Sequence, residues 1–187
     1  MFLKTRHTVG LTLLFCYLVA WLDRMAINMT LPFMGQEFGL GPEKLGWVLS
    51  AFFLGYSVSQ VPGGLMADRV GPRRVILVAL VWWSLFTGFT GAVGGLASLL
   101  VVRFLFGLGE GVFPAAVWKV IGQFFSKKDR GTANALVLSS VALGPAISLL
   151  LLSQMLPVFG WRVSFYVLGG AGALAGEGPP AAPRLVQ

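Results

Sequence analysis

The sequence predicts an all-α integral membrane protein whose helices form a bundle of six transmembrane spans. Three observations predict this class. The 187 residues are 56% hydrophobic and only 11% charged, and their mean hydropathy of +0.81 lies outside the usual range of soluble domains. Long apolar runs recur along the chain, and the basic residues fall in short groups between those runs.

Six apolar runs divide the chain into its predicted elements. They lie at 9–34, 45–67, 75–93, 97–124, 131–156 and 163–176. Each of the first five is long enough for a helix that crosses a bilayer, which needs about 20 residues. The sixth begins after Arg162 and ends before Glu177, so we expect a short last span. Residues 1–176 are therefore predicted to form one transmembrane bundle.

The last residues form a separate tail. Glu177 is followed by GPPAAPRLVQ, which is rich in proline and cannot continue a helix. We expect residues 177–187 to be disordered, or to result from truncation or from a shift of reading frame.

The distribution of lysine and arginine predicts the orientation. The leading segment and the links after the second and fourth runs are basic; their residues are Lys4, Arg6, Arg69, Arg73, Arg74, Lys127, Lys128 and Arg130. The alternate links are poor in positive charge. Because basic loops stay in the cytoplasm, we expect a multi-pass protein of a cell inner membrane with a cytoplasmic N-terminus.

Several other classes of protein are excluded by composition. Cys16 and His7 are the single cysteine and the single histidine, so neither a disulfide framework nor a metal site is predicted within one chain, and no cofactor is expected. The topology accounts for the net charge of +7, so we expect no nucleic acid partner. The N-terminus resembles a signal peptide but lacks a small-residue cleavage site, which favours an uncleaved first span.

Four charged residues inside apolar runs are the candidates for function. Asp23 and Arg24 interrupt the first run, and Arg103 and Glu110 lie in the fourth. Each arginine or aspartate at the centre of a spanning helix costs roughly 2.5–3.5 kcal/mol on insertion scales. Arg103 and Glu110 are separated by about 10 Å on nearly one helical face. The four side chains are therefore expected to satisfy one another across a bundle interior or a wet cavity.

These four residues allow two interpretations. In the structural one, Asp23 pairs with Arg103 and Arg24 pairs with Glu110 as permanent internal staples. Such pairs are weak evidence for stability, which favours a functional interpretation in which partners or protons change during a cycle. Burial favours a neutral carboxyl and a nearby arginine favours a charged one, so an anion that binds the arginine can drive proton uptake.

The functional interpretation assigns a role to each charge. Glu110 is the first candidate for a proton carrier, and Asp23 is the second, switching between Arg103 and a protonated form. Arg24 is the candidate for binding a substrate carboxylate, because a guanidinium suits bidentate recognition. Tyr56 and Gln60 lie one helical turn apart and are candidates for the same cavity, although Tyr56 can equally pack through its ring. Asn28 is a weaker candidate for the cavity.

The link after the second run, GGLMADRVGPRR at 63–74, predicts a conformational latch. Gly71 permits a tight turn, and Pro72 suits the first turn of the next helix. Asp68 ends the second run beside three arginines and can pair with an arginine or face a helix N-terminus. The latch residues are Gly64, Asp68, Arg69, Gly71, Arg73 and Arg74.

These motifs resemble a known family. Together with Ala67, the latch residues fit the loop motif of the major facilitator superfamily between its second and third helices. DRMAINMTLPF, GYSVSQVPGG, RFLFGLGEGVFP and FGWRVSFYVLGG occur in the order and spacing of that superfamily's anion:cation symporter family. The resemblance covers about residues 10–175.

The resemblance implies a fold and site roles. Members resemble two six-helix bundles, each a 3+3 inverted repeat, with the substrate between the bundles at the midplane. Arg24, Arg103 and Glu110 fall on positions that bind anion or couple protons in the family, and Asp23 on one used by its proton-coupled sugar acid carriers. Tyr56 matches a position that contacts substrate hydroxyls. Trp21 and Val141 stand where those carriers have Tyr and Gln, which favours a less hydroxylated anion.

The prediction is therefore the N-terminal half of a proton-coupled symporter for an organic anion such as a sugar acid. Its expected partners are the anion, protons, the lipid bilayer, and a missing C-terminal six-helix half or a second copy. The alternative is a truncated half or an assembly module without transport of its own. An intramembrane enzyme is not expected, since the histidine lies in the leading segment and no acidic pair has metal-binding spacing.

Overall fold

Helices make up nearly the whole of the described chain. The computed structural model describes residues 2–176, and side chains are described from residue 7 to residue 173. The helices are α1 Phe2–Phe38, α2 Pro42–Arg69, α3 Pro72–Thr90, α4 Leu96–Gly111, α5 Phe113–Phe124, α6 Arg130–Leu138 and α7 Ser140–Gly176. No strand occurs within residues 2–176, so the all-α prediction is confirmed. The predicted tail, 177–187, lies outside the described residues.

Helices are broken at two places, one inside a predicted span and one between two predicted spans. α4 and α5 form one apolar stretch, Leu96–Phe124, broken at Val112 just before Pro114. Proline at this position removes a backbone donor and ends the regular helix that precedes it. α7 contains a non-helical residue, Gly160, with φ 70° and ψ 170°. Gly160 lies between the predicted fifth and sixth runs, so the break falls where a link was expected.

The number of membrane spans is not confirmed as six. Four helical stretches of the described chain are long and apolar enough to cross a membrane: His7–Phe38, Pro72–Thr90, Leu96–Phe124 and Arg130–Ala173. α2 has 28 residues but is not among them, because polar residues such as Ser57, Ser59 and Gln60 dilute its apolar character. Arg130–Ala173 counts once, although Gly160 divides it.

Glycines allow α2 and α4 to pack backbone against backbone. A Cβ at Gly55 would meet the carbonyl oxygen of Phe104, and one at Gly107 would meet that of Phe52. A Cβ at Gly111 would meet the carbonyl oxygen of Tyr56. The glycine-rich stretch of the fourth run therefore serves close helix packing rather than phosphate binding.

Two apolar clusters form the core, and the intramembrane charges lie near their boundary. Residues up to Ala20 of α1 pack in the first cluster, and residues from Ala26 onward pack in the second. In α4 the order is reversed, with Leu99 in the second cluster and Phe106 in the first. Asp23 lies between Ala20 and Ala26, so the bundle interior is polar where the two clusters meet.

A polar clamp closes the end of the bundle where α1 meets α7. This end clamp consists of Glu37, Trp161 and Arg162. Arg162 Nη2 donates to Glu37 Oε1 at 2.5 Å, and Trp161 Nε1 donates to Glu37 Oε2 at 2.9 Å. Arg162 Nη1 also donates to the carbonyl oxygens of Gly91 and Val93, at 3.0 and 2.8 Å. The end clamp therefore ties α7 to α1 and to the residues that follow α3.

Candidate functional site

A cavity of about 220 Å³ opens between α1, α2, α4, α5 and α7. Its lining combines aromatic rings with one arginine and one glutamate. The lining residues are Tyr17, Ala20, Trp21, Arg24, Tyr56, Glu110, Phe113, Pro114, Trp118 and Val141. A concave, largely apolar site with a few convergent polar groups is typical of small-molecule binding.

Arg24 and Glu110 form the charged wall of this cavity and are called the cavity pair below. Arg24 Nε donates to Glu110 Oε1 at 2.7 Å. The Arg24 side chain is 25% exposed, whereas that of Glu110 is 2% exposed. The arginine therefore reaches open space while its carboxylate partner stays inside the bundle.

The Arg24 guanidinium lies among three aromatic rings. Its Cζ is 4.8 Å from the ring centre of Tyr56, 5.3 Å from that of Phe52 and 5.4 Å from that of Trp21. Such contacts hold a cation in a fixed orientation. Because Glu110 engages Nε, the terminal Nη groups of Arg24 are not occupied by that carboxylate and can donate to a second anion.

Asp23 and Arg103 lie behind the cavity pair, with Thr87 and Thr90 of α3; these four residues are called the sealed cluster. None of the four is more than 2% exposed. The expected Asp23–Arg103 ion pair is not formed within the described residues. Arg103 Nη2 instead donates to Thr90 Oγ1 at 2.7 Å, although the two charges still interact electrostatically.

Several polar atoms around the sealed cluster have no partner among the described residues. They are Asp23 Oδ2, Ser84 Oγ, Thr87 Oγ1, Arg103 Nε and Glu110 Oε2. Buried polar atoms are nearly always hydrogen-bonded, so this concentration is unusual.

Helix geometry explains why two adjacent charges have different surroundings. Successive residues of an α-helix point about 100° apart, so Asp23 and Arg24 leave α1 in different directions. Arg103 and Glu110 share a face of α4 but lie at different levels along the helix. Glu110 therefore contacts Arg24, whereas Arg103 interacts with Asp23 without an ion pair.

The other predicted substrate residues do not all reach the cavity. Tyr56 lines it, but Gln60 and Asn28 are exposed and do not line it. Contact of these two residues with a substrate therefore stays a prediction. Helical spacing alone does not explain this difference, since Ala20 and Arg24 are also four residues apart and both line the cavity.

The residues of the predicted latch have a different ion-pair partner from the one that the sequence suggested. Asp68 pairs with Lys119 of α5 rather than with an arginine of its own link, and Lys119 Nζ also donates to the carbonyl oxygen of Ala67 at 2.9 Å. Gly71 has φ 89° and precedes Pro72 at the start of α3, as the turn requires.

The arginines of the predicted latch do not replace Lys119 as the partner of Asp68. Arg69, Arg73 and Arg74 are exposed, and Arg74 contributes to a groove of about 390 Å³ along α2, α3 and α4. A Cβ at Gly64 would lie 3.9 Å from that of Ala115, which is ordinary contact. The latch therefore joins the end of α2 to α5.

Sequence reasoning missed Tyr17, Trp118, Thr90 and the end clamp. Tyr17 precedes Arg24 by seven residues, and that helical spacing could have suggested a shared face. Thr90 carries no comparable signal, since its partner Arg103 lies on the next helix. Within the described residues no group of three or more His, Cys, Asp or Glu could hold a metal ion.

Comparisons with known proteins match most of the chain. The family model described as Major Facilitator Superfamily matches residues 13–177. The hexuronate transporter of Bacillus subtilis is 34% identical over 168 residues, covering 90% of this chain and 40% of that protein. The probable sulfoacetate transporter of Cupriavidus necator is 36% identical over 168 residues, covering 89% and 39%. The probable L-galactonate transporter of Escherichia coli is 32% identical over 169 residues, covering 90% and 37%.

A solved structure shares the fold. It is a bacterial homologue of the human lysosomal transporter Spinster in an inward-facing, unoccupied conformation, with a TM-score of 0.80 and 24% sequence identity. The match covers 92% of this chain and 42% of that one. The chain thus spans between 37% and 42% of the length of these four proteins.

Proposed function

Because the chain belongs to the Major Facilitator Superfamily, we propose that it is the N-terminal half of a symporter that moves a small organic anion with protons. The family consists of transporters rather than enzymes, and its members are multi-pass membrane proteins. The three relatives described above are named for hexuronate, sulfoacetate and L-galactonate, all of which are small organic anions.

The cavity pair is the observation that carries this proposal. Arg24 has open space on one side and the buried carboxylate of Glu110 on the other. A substrate carboxylate that binds the Nη groups competes with Glu110 for the same guanidinium. A buried carboxylate that loses its counter-ion is stabilised by taking up a proton. Anion binding and proton binding are thereby coupled.

The cavity lining supports a small substrate with few hydroxyl groups. Trp21 and Val141 both contribute to it, and neither offers more than one hydrogen bond from its side chain. Tyr56 remains the candidate for contacting a substrate hydroxyl. A short carboxylate or sulfonate fits this lining better than a polyhydroxylated sugar acid.

The chain contains only one of the two helix bundles that a transport cycle of this kind uses. Secondary transporters of this kind bind substrate between two halves, so a second six-helix half or a second copy of this chain would close the cavity. The Asp68–Lys119 pair would act as the latch that stabilises one conformation. The expected location is the inner membrane with the N-terminus in the cytoplasm. The alternative is an assembly module that does not transport by itself.

Anion binding can be tested on this chain directly. The purified chain in lipid nanodiscs is titrated with glucuronate, sulfoacetate and galactonate, and tryptophan fluorescence is recorded because Trp21 and Trp118 line the cavity. We expect saturable quenching that Arg24→Gln weakens by at least about tenfold, the scale of one charge-assisted hydrogen bond. Arg73→Gln removes an exposed arginine of the latch and is the matched control. Equal quenching in both variants would exclude Arg24 as the anion site.

Proton coupling and autonomous transport need a second experiment. The chain is reconstituted in proteoliposomes, and anion uptake is measured with and without an inward proton gradient. Proton-driven accumulation that Glu110→Gln abolishes, while counterflow persists, supports the symporter. Binding without uptake supports the alternative of a half that needs a partner.

A further inference from the structure

Thr90 connects the last turn of α3 to the buried Arg103. Its hydroxyl donates to the carbonyl oxygen of Phe86 at 2.8 Å and accepts from Arg103 Nη2 at 2.7 Å. Arginine has no acceptor, so the threonine oxygen must accept in this bond, and its one hydrogen remains for Phe86. Both of its hydrogen-bonding roles are therefore filled inside the bundle, where Thr90 is fully buried.

This bond holds Arg103 on the α3 side of the sealed cluster. The rings of Phe106 and Phe165 lie 4.8 and 5.6 Å from the guanidinium carbon and limit its movement. Within the described residues, Arg103 Nε and Asp23 Oδ2 have no hydrogen-bond partner. The opposite charges thus face each other without a direct contact, although such a contact would satisfy both unpartnered atoms.

The position of Thr90 is itself fixed from outside the cluster. The end clamp holds the carbonyl oxygens of Gly91 and Val93, which directly follow α3. A hydroxyl on the last turn of a free helix end would move with that end. Here the end is held, so Thr90 is a fixed acceptor.

We propose that Thr90 is a positioning residue that keeps Arg103 out of a direct ion pair with Asp23 and so leaves the Asp23 carboxyl able to exchange a proton. The groups that face Asp23 are Arg103 and Glu110 of α4 and the hydroxyl of Thr87 of α3. Arg24, its neighbour on α1, is engaged by Glu110. Arg103 is therefore the one charge in this set that can move onto Asp23. This inference rests on the proposed function and extends it, because the proposed function assigns proton binding to Glu110, and Asp23 was the second candidate from the sequence.

The test follows the carboxyl group of Asp23 by infrared spectroscopy. The chain in nanodiscs is titrated from about pH 5 to pH 9, where buried carboxyls titrate. The C=O band of a neutral carboxyl that disappears in Asp23→Asn is assigned to Asp23. Thr90→Val keeps the shape of the side chain without its hydroxyl, and Thr90→Ser retains the hydroxyl. Thr30→Val is the matched control, since the Thr30 hydroxyl is equally buried but bonds only carbonyl oxygens of its own helix, at Ala26 and Ile27.

Without the Thr90 hydroxyl, Arg103 is free to contact Asp23. An arginine in direct contact stabilises the charged carboxylate by at least about tenfold, so we expect Thr90→Val to weaken the band of the neutral Asp23 carboxyl severalfold at a given pH. Thr90→Ser and Thr30→Val should retain the band. If Thr90→Val does not fold, Thr90→Ala removes the same hydroxyl and leaves more room. An unchanged band in the folded variant without the hydroxyl overturns the proposal, as does the absence of any Asp23 band in the parent chain.

The fluorescence titration on the same samples separates this inference from the proposed function. We expect Thr90→Val to bind anion as the parent does, since Arg24 and its aromatic neighbours do not contact Thr90. Loss of anion binding in the parent chain would count against the symporter, while the infrared comparison would still decide the role of Thr90.

Discussion

The cavity pair and the sealed cluster contain the same charges, one acid and one arginine each, in two different states. Arg24 and Glu110 touch through a 2.7 Å hydrogen bond at the wall of a cavity. Asp23 and Arg103 are more deeply enclosed and do not touch, because a threonine holds the arginine. The pair that lines the cavity therefore has a direct ion pair, whereas three of the buried atoms without a hydrogen-bond partner belong to the sealed cluster: Asp23 Oδ2, Thr87 Oγ1 and Arg103 Nε.

This difference indicates a division of work between two adjacent residues of α1. A directly paired arginine at a cavity can exchange its carboxylate partner for a substrate anion, provided that the released Glu110 carboxylate takes up a proton. A carboxyl group that forms no direct ion pair can exchange a proton without breaking one. Four variants test whether the cavity pair and the sealed cluster contribute differently to the free energy of unfolding. Unfolding can be followed by the reaction of the buried Cys16 with a maleimide dye.

Arg24→Gln should have the largest effect on stability. It leaves the Glu110 carboxylate buried without a counter-ion, and removing one partner of such a pair costs roughly 2–5 kcal/mol. The expected result is a clear fall in the unfolding temperature. The double variant Arg24→Gln/Glu110→Gln should recover most of the loss, because no buried charge remains. A single variant as stable as the parent would mean that the cavity pair contributes no more than the sealed cluster.

Gly55→Ala should come second, because both regions depend on α4 lying against α2. The added methyl group would meet the carbonyl oxygen of Phe104, a backbone atom that cannot turn aside. Overpacking of this kind costs about 1–3 kcal/mol. Gly46→Ala is the matched control in the same helix, since nothing lies within 4 Å of its Cβ position. Equal unfolding temperatures for the two variants would contradict close packing of α2 on α4.

Asp23→Asn should change stability by less than about 1 kcal/mol in either direction. The substitution removes a buried charge but breaks no direct ion pair, so the desolvation of the carboxylate is relieved at little loss. Anion quenching of tryptophan fluorescence should persist. A destabilisation as large as that of Arg24→Gln would show that Asp23 and Arg103 form a true pair and would remove the contrast.

Glu37→Gln should have the smallest effect, although it alters the shortest ion pair of the end clamp. The side chains of Arg162 and Glu37 are 37% and 42% exposed, and exposed pairs contribute about 0–1 kcal/mol. Arg162 would keep its bonds to the carbonyl oxygens of Gly91 and Val93. Glu43→Gln, at an exposed position of α2, is the control. A loss of several kcal/mol would mean that the clamp, rather than the buried charges, holds this end of the bundle.

Much of the fold and part of the site followed from the sequence. The long apolar runs predicted the helices, and the order of the motifs predicted the family. Arg24 and Glu110 could be singled out because charge inside an apolar run requires a partner. Gln60 does not line the cavity although it is one helical turn from Tyr56, because spacing along one helix does not show where the neighbouring helices enclose a cavity. Thr90 and the end clamp could not be found because their contacts join distant parts of the chain.

The sequence by itself determined that this chain is a bundle of membrane helices with four charges in its interior, since hydropathy and the cost of buried charge are properties of each segment. Only the tertiary structure decided which charges touch. Asp23 and Arg24 are neighbours in sequence, but the 100° step of the helix sends one to a cavity and the other into an enclosed cluster. The partner that each residue meets depends on how closely the glycines let α4 approach α2 and on where α3 ends. Neither property can be derived from the sequence of α1.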